Sequence, residues 1–167
     1  MTVHKDMFDN KNQNSQKQKT VHMSSASRKT VMVSGGFDPI HGGHVQMITE
    51  AAEWGNVIVV VNSDEWLMRK KGYVFMPFEE RAEIIRALKG VKDVVECIDL
   101  DNTVCETLRS LTPTYFANGG DRKEGNVPEE SVCKREGIIM LWGVGGGKIQ
   151  SSSWLVDGAN EAKTILE

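Results

Sequence analysis

The fold of this chain is decided by the stretch TVMVSGGFDPIHGGH, at residues 30–44. It begins with an apolar run at residues 30–33 that is typical of a buried strand, and it passes into a Ser-Gly-Gly turn. His41 and His44 follow where a helix is expected to begin. A strand that leads through a glycine-rich turn into a helix predicts a ligand-binding edge of an α/β sheet.

The glycines and the two histidines of this stretch suit a phosphate group. Glycine lets backbone N–H groups approach a ligand closely, and a helix start offers unpaired donors and a positive dipole end. Two imidazoles three residues apart can both reach one phosphate. A tight turn with incidental histidines is one alternative. A two-histidine metal pair is another, but no third ligand is obvious nearby. The stretch is not GxGxxG, so a dinucleotide fold is not supported.

The rest of the chain alternates between strand and helix patterns. The β-branched run at 57–61 predicts a strand that is covered on both faces. Further strands are expected at 91–98, 114–117 and 138–142, and helices at 45–54, 77–88, 103–111, 129–135 and within 152–166. This alternation predicts an α/β fold, a Rossmann-like three-layer sandwich with a five-stranded parallel sheet.

Composition indicates one folded domain after a polar tail. Residues 1–28 are rich in Asn, Gln, Lys and Ser, which predicts a flexible tail before a domain at 29–167. The net charge of −3 gives no general attraction to nucleic acid or to an anionic membrane. We expect a cytoplasmic protein, because neither a spanning segment nor a secretory signal is recognisable. The three cysteines form no CxxC pair, so neither a disulfide framework nor a thiolate zinc site is suggested.

Unusual polar segments follow the predicted strands. They occupy residues 35–44, 62–72, 118–123 and 143–153. In open parallel sheets, ligands bind beyond the carboxyl ends of the strands, where the strand order reverses. We therefore expect these four segments to meet at one site.

The segment at 35–44 resembles the GxFDxxHxGH signature of the cytidylyltransferase-like nucleotidyltransferases. Four motifs in the expected order extend the resemblance over about residues 30–155. They are most similar to the branch of the ADP-heptose synthase adenylyltransferases and the glycerol-3-phosphate cytidylyltransferases. The resemblance implies transfer of a nucleoside monophosphate from a triphosphate, ATP before CTP, to a phosphorylated sugar or polyol. It also implies in-line attack, release of pyrophosphate, and Mg²⁺ bound mainly through the triphosphate.

The resemblance also implies roles for individual residues. The catalytic set is His41, His44 and Lys71, with Lys70 as second choice for the functional lysine. Nucleotide contacts are implied for Gly35, Gly36, Phe37, Asp38, Gly43, Ser151, Ser152 and Ser153. Acceptor contacts are implied for Asp38, Arg81, Asn118, Gly120 and Asp121, and no protein ligand to a metal is implied. The chain carries Asn118 where the heptose-type relatives have Lys, and Arg122 where they have an aromatic residue, so the acceptor is left open.

Each of these motifs also has a structural interpretation. The cations at 69–71 are either a phosphate-binding lid or a solvated basic face. Arg81 is either a substrate contact or a surface arginine. The segment 118–122 is either a binding loop or a plain turn. The serines at 151–153 either grip a phosphate or merely cap a helix, for which one hydroxyl is enough.

Other functions share parts of this pattern. Class I aminoacyl-tRNA synthetases have an HxGH motif, but they need a second lysine motif and a tRNA-binding body, neither of which is present. A catalytically inactive nucleotide-binding regulator of the same fold is the alternative function. The expected partners are a nucleoside triphosphate and a small phosphorylated acceptor, without nucleic acid or membrane, and a homodimer is left open.

Overall fold

The computed structural model of the chain describes residues 28–120 and 122–166. Within that range the strands are β1 (Thr30–Gly35), β2 (Asn56–Val61), β3 (Val91–Glu96), β4 (Tyr115–Ala117) and β5 (Ile139–Leu141). The helices are α1 (Gly42–Ala51), α2 (Asp64–Lys71), α3 (Phe78–Arg86), α4 (Cys105–Leu111), α5 (Glu130–Glu136) and α6 (Ser152–Leu166). The predicted tail lies outside the described residues, apart from Arg28, and so does the predicted site residue Asp121.

The five strands form one parallel sheet in the order β3-β2-β1-β4-β5. The central strand β1 pairs with β2 over its whole length and with β4 on its other side. The strand order reverses between β1 and β4, which opens a crevice at their carboxyl ends. The five-stranded parallel sheet predicted from the sequence is confirmed.

Alternate residues of β1 point to opposite faces of the sheet, and each face carries its own core. Val31 and Val33 pack with Ile48 of α1 and Ile85 of α3 on one face. On the other face Met32 packs with residues of α4 and α5, including Leu108, Val132 and Cys133. Because helices cover both faces, the fold has three layers.

The sequence pattern did not predict α2. Ser63 caps this helix by accepting the N–H of Trp66 at 3.0 Å, and the helix ends at Gly72, whose φ is +80°. Leu67 is the buried residue of α2, so the apolar stripe that would reveal the helix is too short to read. The predicted strands 91–98 and 138–142 are also shorter than expected, ending at Glu96 and spanning Ile139–Leu141.

A helix that crosses a membrane must be both long and apolar. No helix in the described part of the chain is both long and apolar enough to cross a membrane.

We predict that Leu108→Ala lowers the free energy of unfolding by about 2–5 kcal/mol, because Leu108 is fully buried in the second core. The matched control is Leu100→Ala. Leu100 is 85% exposed, so the same substitution should change stability by no more than about 0.5 kcal/mol. Urea denaturation followed by circular dichroism measures both, and equal effects would contradict this core assignment.

Candidate functional site

A pocket of about 380 Å³ lies at the carboxyl ends of β1 and β4. Its lining includes residues from all four polar segments that the sequence analysis identified, and the segment 62–72 contributes Trp66 and Lys71 of α2. Most of the predicted site residues line it: Gly35, Gly36, Phe37, His41, Gly43, His44, Lys71, Asn118, Gly120, Ser151, Ser152 and Ser153. The side chains of Asp38 and Arg81 are not part of this lining.

The histidine pair forms the N-terminal cap of α1. Nδ1 of His41 accepts the N–H of Gly43 at 3.1 Å, and Nδ1 of His44 accepts the N–H of His41 at 3.2 Å. The two rings stack with their centroids 3.7 Å apart. An Nδ1 atom that accepts a hydrogen bond carries no proton, so this network assigns the proton of each neutral ring to Nε2. The cap therefore leaves two Nε2–H groups as donors for a ligand.

The surroundings of the pair keep both imidazoles neutral. The pKa of His44 falls from 6.5 to about 3, chiefly because the ring is buried, and also because His41 and Lys71 lie nearby. Burial also lowers the pKa of His41, and the charge of Lys148 adds to the effect. At neutral pH the pair therefore offers neutral N–H donors rather than two imidazolium cations.

Asp38 supports the pocket from inside the protein. Its carboxylate is fully buried and accepts the N–H of Phe75 at 2.8 Å and of Met76 at 2.6 Å. We predicted that Asp38 contacts the nucleotide or the acceptor, but both of its oxygens are occupied by the segment that leads into α3. Its neighbour Phe37 adopts φ +51° and packs its buried ring 4.8 Å from the ring of His44.

Arg81, for which we predicted an acceptor contact, makes its hydrogen bonds inside the protein. Its guanidinium is fully buried, and Nη1 donates to the carbonyl oxygens of Gly36 at 2.7 Å and Asn62 at 2.8 Å. Nε donates to the carbonyl of Met76 at 2.9 Å, and Nη2 pairs with Asp64 at 2.5 Å. Arg81 therefore ties together the turns that follow β1 and β2 and the segment before α3.

Two lysines bring positive charge to the histidine pair. Lys71, at the end of α2, donates from Nζ to the carbonyl oxygen of Asp38 at 3.3 Å. Its pKa is lowered chiefly by burial, while Asp38 opposes this shift and Arg81 adds to it. Lys70 is exposed and does not line the pocket. Lys148, which the resemblance did not single out, lines the pocket and lies 5.1 Å from the Trp154 ring centroid.

The three serines have different partners. Ser151 accepts the N–H of Trp154 at 3.2 Å and so caps α6. Ser152 is buried and donates to the carbonyl oxygen of Pro39 at 2.8 Å, which joins α6 to the first turn. Ser153 is exposed, with its hydroxyl oxygen 2.9 Å from that of Ser151. Because these serines and the histidine pair line the same pocket, the starts of α1 and α6 meet there.

Glycine is required where the segment before α6 crosses α1. At Gly145, φ is +85°, and a Cβ atom would lie 2.8 Å from the Cα atom of Met47. The N–H of Gly145 donates to a carboxylate oxygen of Glu50 at 2.8 Å. The run of glycines at 145–147 is a sequence signal from which this close approach could have been inferred, but we did not predict it. Met47 and Trp66, which also line the pocket, were not predicted because nothing marks them out from core residues.

The described residues do not form a metal site. They contain no group of three or more His, Cys, Asp or Glu side chains that could hold an ion. The carboxylates of Asp38 and Glu50 accept backbone N–H groups instead. The pocket therefore presents N–H, O–H and cationic groups, which suit an anion.

Comparisons with known proteins show which family the chain belongs to. A family model described as Cytidylyltransferase-like matches residues 32–135. The bifunctional protein HldE of Gluconobacter oxydans is 35% identical over 139 residues, which are 80% of this chain and 28% of that protein. The FAD synthase of Pyrococcus horikoshii is 43% identical over 103 residues, which are 60% of this chain and 68% of the synthase.

A solved structure shows a similar fold. The lipopolysaccharide core biosynthesis protein from Thermoplasma volcanium matches with a TM-score of 0.57 and 26% identity, over 69% of this chain and 93% of that one. The chain spans less than a third of the length of the HldE protein, so similarity to HldE concerns one part of a longer protein.

We predict that acidification destabilises the chain through His44. Its pKa in the folded state, about 3, lies below the unfolded value of 6.5, so between these values the unfolded state binds more protons. The contribution is complete above pH 6.5 and is lost as pH falls toward 3, by up to about 1.4 kcal/mol per pH unit. Urea unfolding at pH 7 and at pH 4.5 should show a larger loss for the wild type than for His44→Asn. Equal losses of unfolding free energy in the wild type and in His44→Asn would contradict the conclusion that His44 is neutral in the folded protein.

We predict that Arg81→Met destabilises the fold by about 3–5 kcal/mol, because it removes the donor shared by three carbonyl groups and a carboxylate. Arg86→Met on the same helix is the matched control. Arg86 is exposed, so its replacement should change the free energy of unfolding by about 0.5 kcal/mol or less. If Arg81→Met kept full stability but weakened substrate binding, Arg81 would be a substrate contact after all.

Proposed function

The chain belongs to the cytidylyltransferase-like family, and from this premise we propose that it is a nucleotidyltransferase. It transfers a nucleoside monophosphate from a nucleoside triphosphate to a phosphorylated sugar or polyol and releases pyrophosphate. One observation carries the proposal: two neutral imidazole donors, two lysines and the starts of α1 and α6 meet in one pocket. That combination suits a chain of phosphates, and the described residues that line the pocket include no acidic side chain to repel it.

The proposed chemistry is a single displacement at phosphorus. An oxygen of the acceptor's phosphate forms a bond to the α-phosphorus while the bond to the β-bridging oxygen breaks. The electron pair of that bond leaves with pyrophosphate. The Nε2–H groups of His41 and His44 donate to oxygens on which negative charge develops, and Lys71 and Lys148 offset the charge of the phosphates.

The protonation state of the pair is consistent with this mechanism. A phosphate monoester has its second pKa near 6, so the acceptor is already ionised at neutral pH and needs no general base. An imidazole is then required as a donor and not as a proton acceptor. The cap fixes each proton on Nε2 before the substrate arrives, so no reorganisation is needed during the reaction.

Adenylyl transfer is the favoured form of the reaction, and cytidylyl transfer is the next. FAD, from which one relative takes its name, contains an adenylyl group. The structural neighbour from Thermoplasma volcanium is named for lipopolysaccharide core biosynthesis, which favours a sugar-derived acceptor. These two names support a sugar phosphate as acceptor and ATP as donor.

Mg²⁺ belongs to the proposal as a companion of the triphosphate. The described side chains are poorly suited to bind Mg²⁺ directly, because the carboxylates of Asp38 and Glu50 accept hydrogen bonds from backbone N–H groups. The phosphate oxygens would therefore supply its ligands, and no step of the displacement is assigned to a protein-bound metal.

The activity is tested by pyrophosphate release. ATP, CTP, GTP and UTP are each combined with a panel of sugar, polyol and amino-alcohol phosphates in the presence of Mg²⁺. We expect ATP with a sugar phosphate to give the fastest release. If no combination in the panel released pyrophosphate, the result would instead favour a nucleotide-binding regulator that lacks catalytic activity.

We predict that His44→Asn lowers kcat by about 10²- to 10³-fold, because Asn retains an acceptor near the position of Nδ1 but no donor at Nε2. His44→Ala removes both groups, so it should lose a similar factor in kcat and about 1 kcal/mol of stability as well. Steady-state pyrophosphate release and urea denaturation separate the two effects. Undiminished turnover in His44→Asn would remove this donor from the mechanism.

A further inference from the structure

Two buried acceptor atoms in the described part of the chain have no hydrogen-bond partner. They are Oδ1 of Asn118 and Oε2 of Glu129, and both lie in the stretch that connects β4 to α5. A buried acceptor without a donor is costly, and native proteins contain few of them. Oδ1 of Asn118 therefore lacks a donor among the described residues, whereas Oε2 of Glu129 lies 4.0 Å from a cationic side chain, that of Arg122.

Asn118 lines the pocket, and the acceptor atom of its buried amide has no partner among the described residues. Its side chain is 2% exposed, and Nδ2 donates to the carbonyl oxygen of Phe116 at 3.3 Å. This bond fixes the orientation of the amide, so Oδ1 is the atom left for a ligand. Since Asn118 lines the pocket, a ligand hydroxyl or amino group can complete it.

Glu129 holds a cation at the same wall. Its side chain is 2% exposed, and Oε1 accepts the N–H of Val104 at 3.1 Å. The other oxygen, Oε2, lies 4.0 Å from Nη1 of Arg122. Arg122 is 46% exposed and lines the pocket. A buried carboxylate thus faces a guanidinium that also borders the pocket, and attraction between them restricts where the guanidinium can lie.

Arg122 supplies positive charge at a different place from the two lysines. Lys71 and Lys148 act on the histidine pair, as the lowered pKa values of His44 and His41 show. Arg122 instead comes from the loop after β4, near Gly120. An acceptor phosphate that attacks a triphosphate must approach a group of the same charge. A third cation reduces that repulsion.

We propose that Arg122, positioned by the buried carboxylate of Glu129, binds the phosphate of the acceptor, while Oδ1 of Asn118 accepts a hydrogen bond from one of its hydroxyl groups. The ligand class is a phosphate ester of a polyhydroxyl compound. This inference rests on the proposed function and assigns Arg122 as the residue that determines acceptor specificity. Glu129 is a positioning residue that acts through Arg122.

The first test is the kinetic effect of Arg122→Gln with the best acceptor found in the pyrophosphate-release panel. Loss of charged hydrogen bonds should raise the KM for the acceptor by about 10- to 100-fold. The KM for ATP should change by less than about twofold, because Lys71 and Lys148 still offset the charge of the triphosphate. The KM of Arg122→Lys for the acceptor should lie between those of the wild type and Arg122→Gln. The control is Arg135→Gln, an exposed arginine that pairs with Glu136 on α5.

The second test separates positioning from a structural role. Glu129→Gln keeps an oxygen for the N–H of Val104 but removes the buried charge, so stability should be unchanged or higher. The KM for the acceptor should nevertheless rise several-fold. In the Arg122→Gln background, Glu129→Gln should have no further effect. An equal effect in both backgrounds would overturn the positioning role.

The third test requires no turnover. Glycerol 3-phosphate and ribose 5-phosphate are titrated calorimetrically into the wild-type chain and into Arg122→Gln, with glycerol and ribose as unphosphorylated controls. The inference is supported if the phosphorylated probes bind to the wild type but not to Arg122→Gln. This holds even if the screen detects no release of pyrophosphate. Turnover with an unchanged acceptor KM, a selective rise in the KM for ATP, or no binding of either probe would overturn it.

Discussion

The geometry of the pocket depends on the buried guanidinium of Arg81. It joins the carbonyl groups of Gly36, Asn62 and Met76, which belong to three separate connections, and it pairs with Asp64 at the start of α2. Asp38 acts from the opposite side by accepting the N–H of Met76. A buried charge is tolerated only when its donors are satisfied, and here they are satisfied by loop carbonyl groups. The loops around the pocket are therefore held in one arrangement before a ligand binds.

The histidine pair shows how local backbone structure sets side-chain chemistry. Nδ1 of each ring is used to cap α1, so the proton of each ring resides on Nε2. Burial and the neighbouring lysine charges then keep the rings neutral. The same residues thus begin the helix and present N–H donors to the pocket. Substitution at either position affects both properties unless the replacement retains an acceptor near the Nδ1 position.

The sequence was sufficient to predict the sheet and most of the residues that line the pocket, because both depend on local patterns. β-branched runs mark β1 and β2, and the segments after the strands necessarily converge at one edge of a parallel sheet. The sequence did not reveal the internal partners of Asp38 and Arg81, several of which are backbone groups far along the chain. A motif does not show whether a charged side chain points into a pocket or into the protein. The sequence was also insufficient for α2, whose single buried leucine leaves no readable period.

The two walls of the pocket differ in how strongly the backbone constrains them. The wall that carries the histidines is fixed by helix caps, by Ser152 on Pro39, and by the contact of Gly145 with α1. The wall after β4 depends on side chains, namely an unpaired amide oxygen on Asn118 and a guanidinium held by Glu129. Substitution of Asn118 or Arg122 leaves the helix starts intact, whereas substitution of the histidines, or of Glu129, which accepts the N–H of Val104 before α4, does not. Under the proposed function, Asn118 and Arg122, at which the chain departs from the motifs, are therefore the positions where acceptor preference is expected to diverge.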